Sequence, residues 1–251
     1  MPLPTVTATR YVAPLREGGS MPALVEADDL GLYVVKLSGA GQGPGALAAE
    51  IIGGELARRL GLRVPDLALV DVDPALGVAE PDPEIQDLLK WSPGLNAGLD
   101  FLPGSLMYQP GAGTPPPPEE AAAVVWLDAL LQNVDRTASN PNLLRWHGDV
   151  WLIDHGAALF RQHGTDDLAA AATSAFPMVA QHVLLDAAGS IEEADARLAD
   201  RARAAVDEVV ALVPEAWVRG DYAGFLHGRL AGERGFVAEA ETARRAAIAR
   251  G

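Results

Sequence analysis

Four polar residues with unusual settings stand out in this chain of 251 residues. Asp135 and Asn140 lie within Asn133-Val-Asp-Arg-Thr-Ala-Ser-Asn-Pro-Asn142, which holds three of the chain's four asparagines. Asp154 opens Asp154-His-Gly156 directly after the apolar Trp151-Leu-Ile. Lys36 closes Tyr33-Val-Val-Lys36 and is one of only two lysines against 17 arginines. An ammonium in an apolar strand needs an anion. Amide and carboxylate oxygens are the ligands that magnesium, a hard cation, prefers. A carboxylate at the mouth of a loop can orient a hydroxyl and take its proton. An Asp-x4-Asn loop, a strand pair and then Asp-x-Gly form the layout of phosphoryl transfer from ATP. Asp135 is then the base, Asn140 and Asp154 the magnesium ligands, and Lys36 the phosphate contact.

The elements that must position these groups can be read around them. Strands are expected over Thr5–Val12 and Ala23–Glu26, with a glycine-rich turn at Gly18, Gly19 and Ser20 between them to cover phosphates. Leu32–Leu37 is the strand that carries Lys36. Ala46–Leu60 is a helix stopped by Gly61. It offers Lys36 two carboxylates, Glu50 and Glu55. Helical periodicity puts Glu55 among Leu47, Ile51, Ile52, Leu56 and Leu60, and Glu50 on the opposite side. Leu67–Val72 is a strand and Pro83–Lys90 a short helix. Residues 111–118 end in four prolines, which predict a stiff, exposed linker. Glu119–Asn133 is an apolar, buried helix. Asn140–Arg145 and Val150–Ile153 are short strands around a turn at His147-Gly148-Asp149. Ser190-Ile-Glu-Glu193 is a capping box that opens a helix to Val213. Glu233–Arg250 is a last helix, and the sequence holds no internal repeat.

With these residues in view, the chain resembles the HipA-like kinase family and, more distantly, the phosphatidylinositol 3- and 4-kinases. The resemblance rests on Tyr33-Val-Val-Lys36, on Glu50 through Leu60-Gly-Leu62 with Val64-Pro65, on Asn133-Val-Asp135 to Asn140-Pro-Asn142, and on Leu152-Ile-Asp-His-Gly156. It extends from Arg10 to Leu185. The resemblance implies an α+β, two-lobed, protein-kinase-like fold. A small β-rich N-lobe with one helix takes residues 1–104, a linker 105–118, and a larger, mostly helical C-lobe 119–251. It implies that Lys36 binds ATP phosphates, that Glu50 at the start of its helix is the lysine's partner, and that Asp135 is the catalytic base. Asn140 and Asp154 hold magnesium, and adenine lies against the backbone near Asp100, Phe101 and Leu102. The implied reaction moves the γ-phosphate of ATP to a hydroxyl, a protein Ser or Thr being the expected acceptor. His155 departs from the phenylalanine of an Asp-Phe-Gly loop, and Ala157–Leu168 is short for a substrate-docking segment.

Composition narrows the field. Hydrophobic residues make up 49% of the chain, enough for a substantial core. A net charge of −15 argues against a nucleic-acid partner, because it repels phosphates. With no cysteine there is neither a disulfide nor a thiolate site. No run approaches the roughly 18 apolar residues of a membrane span. Met-Pro-Leu-Pro does not open a signal peptide, so a cytoplasmic protein is expected. His147, His155 and His163 lack a metal-ligand spacing. Three alternatives stay open. One is a kinase-like module that binds nucleotide without catalysis, and another is a kinase acting on a lipid or small-molecule hydroxyl. The third is a dinucleotide-binding enzyme built on Gly41-Gln-Gly-Pro-Gly-Ala46 with Asp71 or Asp73 on the ribose, although Pro44 removes a donor from that loop.

Overall fold

The computed structural model describes residues 2–15, 22–40, 43–78, 80–160 and 168–250. Gly18, Gly19 and Ser20 lie outside the described residues, as do His163 and the Gly41-Gln42 start of the dinucleotide motif. The first part is a closed five-stranded barrel. Its strands are β1 (Thr5–Pro14), β2 (Ala23–Ala27), β3 (Leu32–Lys36), β4 (Leu67–Val72) and β5 (Gly94–Asp100), in the order β1-β2-β3-β5-β4. Only the closing pair, β1 with β4, is parallel. That overturns the dinucleotide reading, which needs a parallel sheet in which the strands flanking the helix belong to one βαβ unit. Here β5 lies between β3 and β4 and runs antiparallel to both.

The period of two along β3 decides where the lysine goes. Tyr33 and Val35 are buried on the face that packs with Val25, Val70 and other barrel residues. Val34 and Lys36 therefore face the other way, out of the barrel. A Cβ at Gly98 of β5 would lie 2.5 Å from Val70 Cγ2, so only glycine lets these strands close at that point.

Helix α1 (Gly43–Arg59) packs against β4, β5 and the helical part. Every residue from Gly45 to Ala57 is buried. The helix ends in a Schellman turn: Leu62 N–H donates to Ala57 O, Gly61 N–H donates to Arg58 O, and Gly61 takes φ +88°. A second helix, α2 (Pro83–Lys90), is capped by Asp82 and lies where the sequence predicts a short helix, whereas the resemblance implied one helix in the first 104 residues.

The rest is mostly helical. Pro118 opens α3 (Pro118–Leu131), which is buried from Ala121 to Leu131 and forms the centre of the larger core. A three-stranded sheet follows the order β6 (Leu106–Met107), β7 (Leu143–Trp146), β8 (Asp149–Leu152). β6 lies inside the expected linker and ties it to β7. Around α3 pack α5 (Ile191–Val210), α6 (Tyr222–Leu230) and α7 (Gly235–Ile248). Ser190 caps α5 by accepting from Glu193 N–H, as the sequence predicts. Helix α4 (Leu168–Thr173) packs on α6.

Candidate active site

Lys36 leaves β3 into a cleft of about 1150 Å³ between the barrel and the three-stranded sheet. Its Nζ is 2.5 Å from Glu50 Oε2 and 2.5 Å from Asp154 Oδ1. The lysine and Glu50 are both buried. Burial alone would push the Lys36 ammonium toward its neutral form, but the carboxylates of Glu50 and Asp154 outweigh it and raise the pKa. Burial likewise works against the Glu50 anion, and Lys36 with His155 brings its pKa well below the ordinary range. The buried cation is therefore held charged. Glu55, the periodicity candidate, pairs instead with Arg58 at 3.4 Å. The reason lies in α1 itself: with both faces buried, the helix has no polar side for amphipathicity to find.

Asp154 stands just past β8 with φ +55°, a left-handed conformation that costs energy in a residue with a Cβ. Its carboxylate is about one-third exposed on the cleft. The next residue, His155, is fully buried, and its backbone N–H donates to Glu50 Oε2 at 2.8 Å. Glu50 thus joins α1, β3 and the loop after β8.

The Asp135 loop is organised by a buried carboxylate that no motif pointed to. Asp128, on α3, accepts from Arg136 Nε at 2.5 Å and from Asn133 Nδ2 at 2.9 Å. Its third partner is His182 Nε2 at 3.0 Å. Leu184 N–H donates to His182 Nδ1, so the ring proton is on Nε2 and points at Asp128. Burial opposes the Asp128 anion, yet Arg136 and His182 pull its pKa well below normal. Arg136 also donates to the carbonyls of Asn142 and Ile153. One buried guanidinium thereby fixes the chain at Asp135, at Asn142 and just before Asp154. The sequence held a signal for this, since Asp128 is the single charged residue between Ala121 and Leu131.

Asn140, Asn142 and Asp154 line the same cleft as Lys36. The Asn140 side chain makes no hydrogen bond among the described residues. Asn142 is committed elsewhere: its Nδ2 donates to Asp135 O at 2.8 Å and lies 3.3 Å from Asp135 Oδ2. Asp135 is half-buried and stands beside the cleft rather than in its lining. Asp100, Phe101 and Leu102 border the far end. The N–H groups of Asp100 and Phe101 donate to Asp66 O and Leu32 O, while that of Leu102 has no partner among the described residues. Burial, with Asp66 and Asp29 nearby, raises the Asp100 pKa.

This arrangement sits in a chain whose sequence matches the model of the HipA-like kinases over residues 9–229. The chain belongs to the HipA-like kinase family. A solved structure, the proinflammatory kinase CtkA of Helicobacter pylori, superposes with a TM-score of 0.60 at 13% identity, covering 98% of this chain and 99% of that one. At that identity the likeness concerns the fold, which is α+β and kinase-like. The Golgi casein kinase aligns at a TM-score of 0.49 and 12% identity, covering 98% of this chain and 75% of that one. No curated protein matches the chain in sequence.

Within this HipA-like kinase the structure brings Lys36, Asn140 and Asp154 to one cleft with the Asp100–Leu102 segment, and buries Glu50 behind Lys36. Sequence reading missed Asp128 and His182 beneath the Asp135 loop, and Gly53 on α1. A Cβ at Gly53 would lie 2.6 Å from His155 Cβ, so the missing side chain is what admits the histidine. Among the described residues no three acidic or histidine side chains converge as a metal site. The donors that fit a hard cation are the unpartnered Asn140 amide and the Asp154 carboxylate. Two protein ligands suffice for magnesium when phosphate and water complete its shell.

Proposed function

We propose that this kinase transfers the γ-phosphate of ATP to a hydroxyl with magnesium, a protein Ser or Thr being the acceptor. The observation that carries it is the buried, charged Lys36 held by Glu50 and Asp154 at the wall of a cleft large enough for a nucleotide. On this reading the barrel is the nucleotide-binding lobe, residues 105–118 are the connection, and the helical part is the catalytic lobe. Adenine packs between Val34 and Leu99 on one side and Leu144 and Ile153 on the other, all of which line the cleft. Leu102 N–H donates to a ring nitrogen. Lys36 binds the phosphates, with Glu50 fixing its direction.

Asn140 and Asp154 would hold the magnesium, which would neutralise charge on the phosphates. Asp154, which also pairs with Lys36, would lend the metal its cleft-facing carboxylate. Asp135 receives the acceptor's proton on its carboxylate, and Asn142 keeps that carboxylate oriented. No covalent intermediate is needed, because positioning and electrostatics carry most of phosphoryl transfer. No helix among the described residues is long and apolar enough to cross a membrane.

Titration calorimetry with magnesium–ATP tests the nucleotide site. Wild type binds, and Lys36→Ala binds much more weakly while keeping its fold by circular dichroism. Equal affinity in a folded Lys36→Ala removes the phosphate role. A phosphoproteome with and without Asp135→Asn identifies the acceptor. Loss of Ser and Thr sites upholds a protein substrate, whereas an unchanged phosphoproteome beside an active enzyme turns the reading to a lipid or small-molecule hydroxyl.

A further inference from the structure

The inner end of the Asp154 loop carries a polar group that the steps above leave idle. The His155 ring is fully buried, and neither of its nitrogens has a hydrogen-bond partner among the described residues. Glu50 Oε1 is also buried and has no hydrogen-bond partner among them. These two orphans face each other, with His155 Nδ1 3.7 Å from Glu50 Oε1. Buried polar groups are rarely left unpaired, and a buried carboxylate oxygen calls for a donor. Gly53, one turn along α1 from Glu50, leaves the space the ring occupies.

We propose that His155 is a positioning residue whose ring carries a proton on Nδ1 and donates it to Glu50 Oε1, closing the present 3.7 Å separation to a hydrogen bond. The proposal rests on the phosphoryl-transfer reading of this cleft. Glu50 Oε2 already accepts from Lys36 and from His155 N–H. With the ring on Oε1, both carboxylate oxygens are held and the group cannot rotate. That matters because Glu50 is the fully buried one of the two carboxylates that hold Lys36, whereas Asp154 is open to the cleft. A phenylalanine at this position fills the space but has no proton to give, so Glu50 would turn and leave Lys36 on the phosphates but misaligned.

Two measurements test this on the full chain. The first is the imidazole spectrum of the ¹⁵N-histidine-labelled protein, with His155 assigned by its disappearance in His155→Asn. A proton on Nδ1 upholds the contact, and a proton on Nε2 overturns it. The second is steady-state kinetics of His155→Phe, His155→Gln and His155→Asn, each checked for folding by thermal melt. An asparagine amide reaches roughly where Nδ1 does, and a glutamine amide where Nε2 does. Misplacement of a reacting group by about 1 Å can cost about 10²-fold. The phenylalanine and glutamine variants should therefore lose about 10- to 100-fold in kcat, with KM for ATP changing far less, and asparagine should recover most of the loss. Phenylalanine or glutamine equal to an active wild type, or no recovery by a folded asparagine variant, overturns the proposal. If wild type transfers no phosphate at all, the kinase reading falls, and the imidazole spectrum still decides whether the bond exists.

Discussion

Asp128 anchors the Asp135 loop although no sequence motif names it. Its carboxylate neutralises Arg136, whose guanidinium reaches Asn142 O and Ile153 O. Removing one member of a buried ion pair leaves the other charge uncompensated, which costs about 3–5 kcal/mol. Asp128→Ala is therefore expected to lose stability on that order in urea denaturation; a loss under 1 kcal/mol would mean that the network contributes little. The pH dependence of stability follows from the same buried charges. Glu50 and Asp128 have pKa values lowered by folding from 4.5 and 3.8, so their contribution is present above those values and is lost as pH falls below them. Lys36 is raised from 10.5, so its contribution is present below that value and is lost as pH rises beyond it. Stability measured by urea melts should fall on the acid side of about pH 4, the carboxylate range, and Glu50→Gln should flatten part of that limb. Lys36 was legible in the sequence as a rare lysine in an apolar strand. Its choice between Glu50 and Glu55 was not legible from pattern, because α1 is buried on all sides and only the family resemblance pointed to Glu50.

Helix α1 shows how one element can join the cleft's two walls. Glu50 faces Lys36 on β3, and Gly53 makes room for His155 after β8. Gly53→Ala should raise helix propensity by about 1 kcal/mol. The added Cβ would nevertheless meet His155 Cβ at 2.6 Å, and overpacking of a tight site costs about 1–3 kcal/mol. The expected result is a lower or unchanged melting temperature and a reduced kcat; a more stable and fully active variant would show that the contact is loose. The elements that were easy to read are those whose sequence carries strong local signals. The bounds of β4 and α2 match the expectation, and Ser190 caps α5. β5 escaped because Gly94-Leu-Asn-Ala-Gly-Leu-Asp holds two glycines and no β-branched residue, its smallness being set by barrel closure at Gly98. α6 escaped because Gly224 and Gly228 read as breaks. A Cβ at Gly228 would come within 2.8 Å of Ala172 Cβ, so that glycine serves close packing against α4.

At the scale of the whole molecule, the barrel and the three-stranded sheet border a large cleft, and the chemistry-bearing residues reach it from β3, the end of β5 and the loops before β7 and after β8. The order of strands, proline-rich stretch and helices was legible, because composition changes along the chain. Closure of the strands into a barrel was not, since it depends on the pairing of β1 with β4 across more than sixty residues of sequence. The tie of β6 to β7 was equally hidden, because two residues carry no pattern. The central claim is that this cleft transfers phosphate with Asp135 as base, and radiolabelled γ-phosphate transfer tests it most directly. The assay compares wild type with Asp135→Asn at saturating magnesium and ATP, with ATP affinity measured on both. Asparagine keeps the shape but neither the charge nor the base, and general base catalysis is worth about 10²–10⁴-fold. The account predicts a rate loss of at least that order with nearly unchanged ATP affinity. An Asp135→Asn enzyme as fast as an active wild type, or a wild type that binds ATP and labels nothing in a cell lysate, would contradict it.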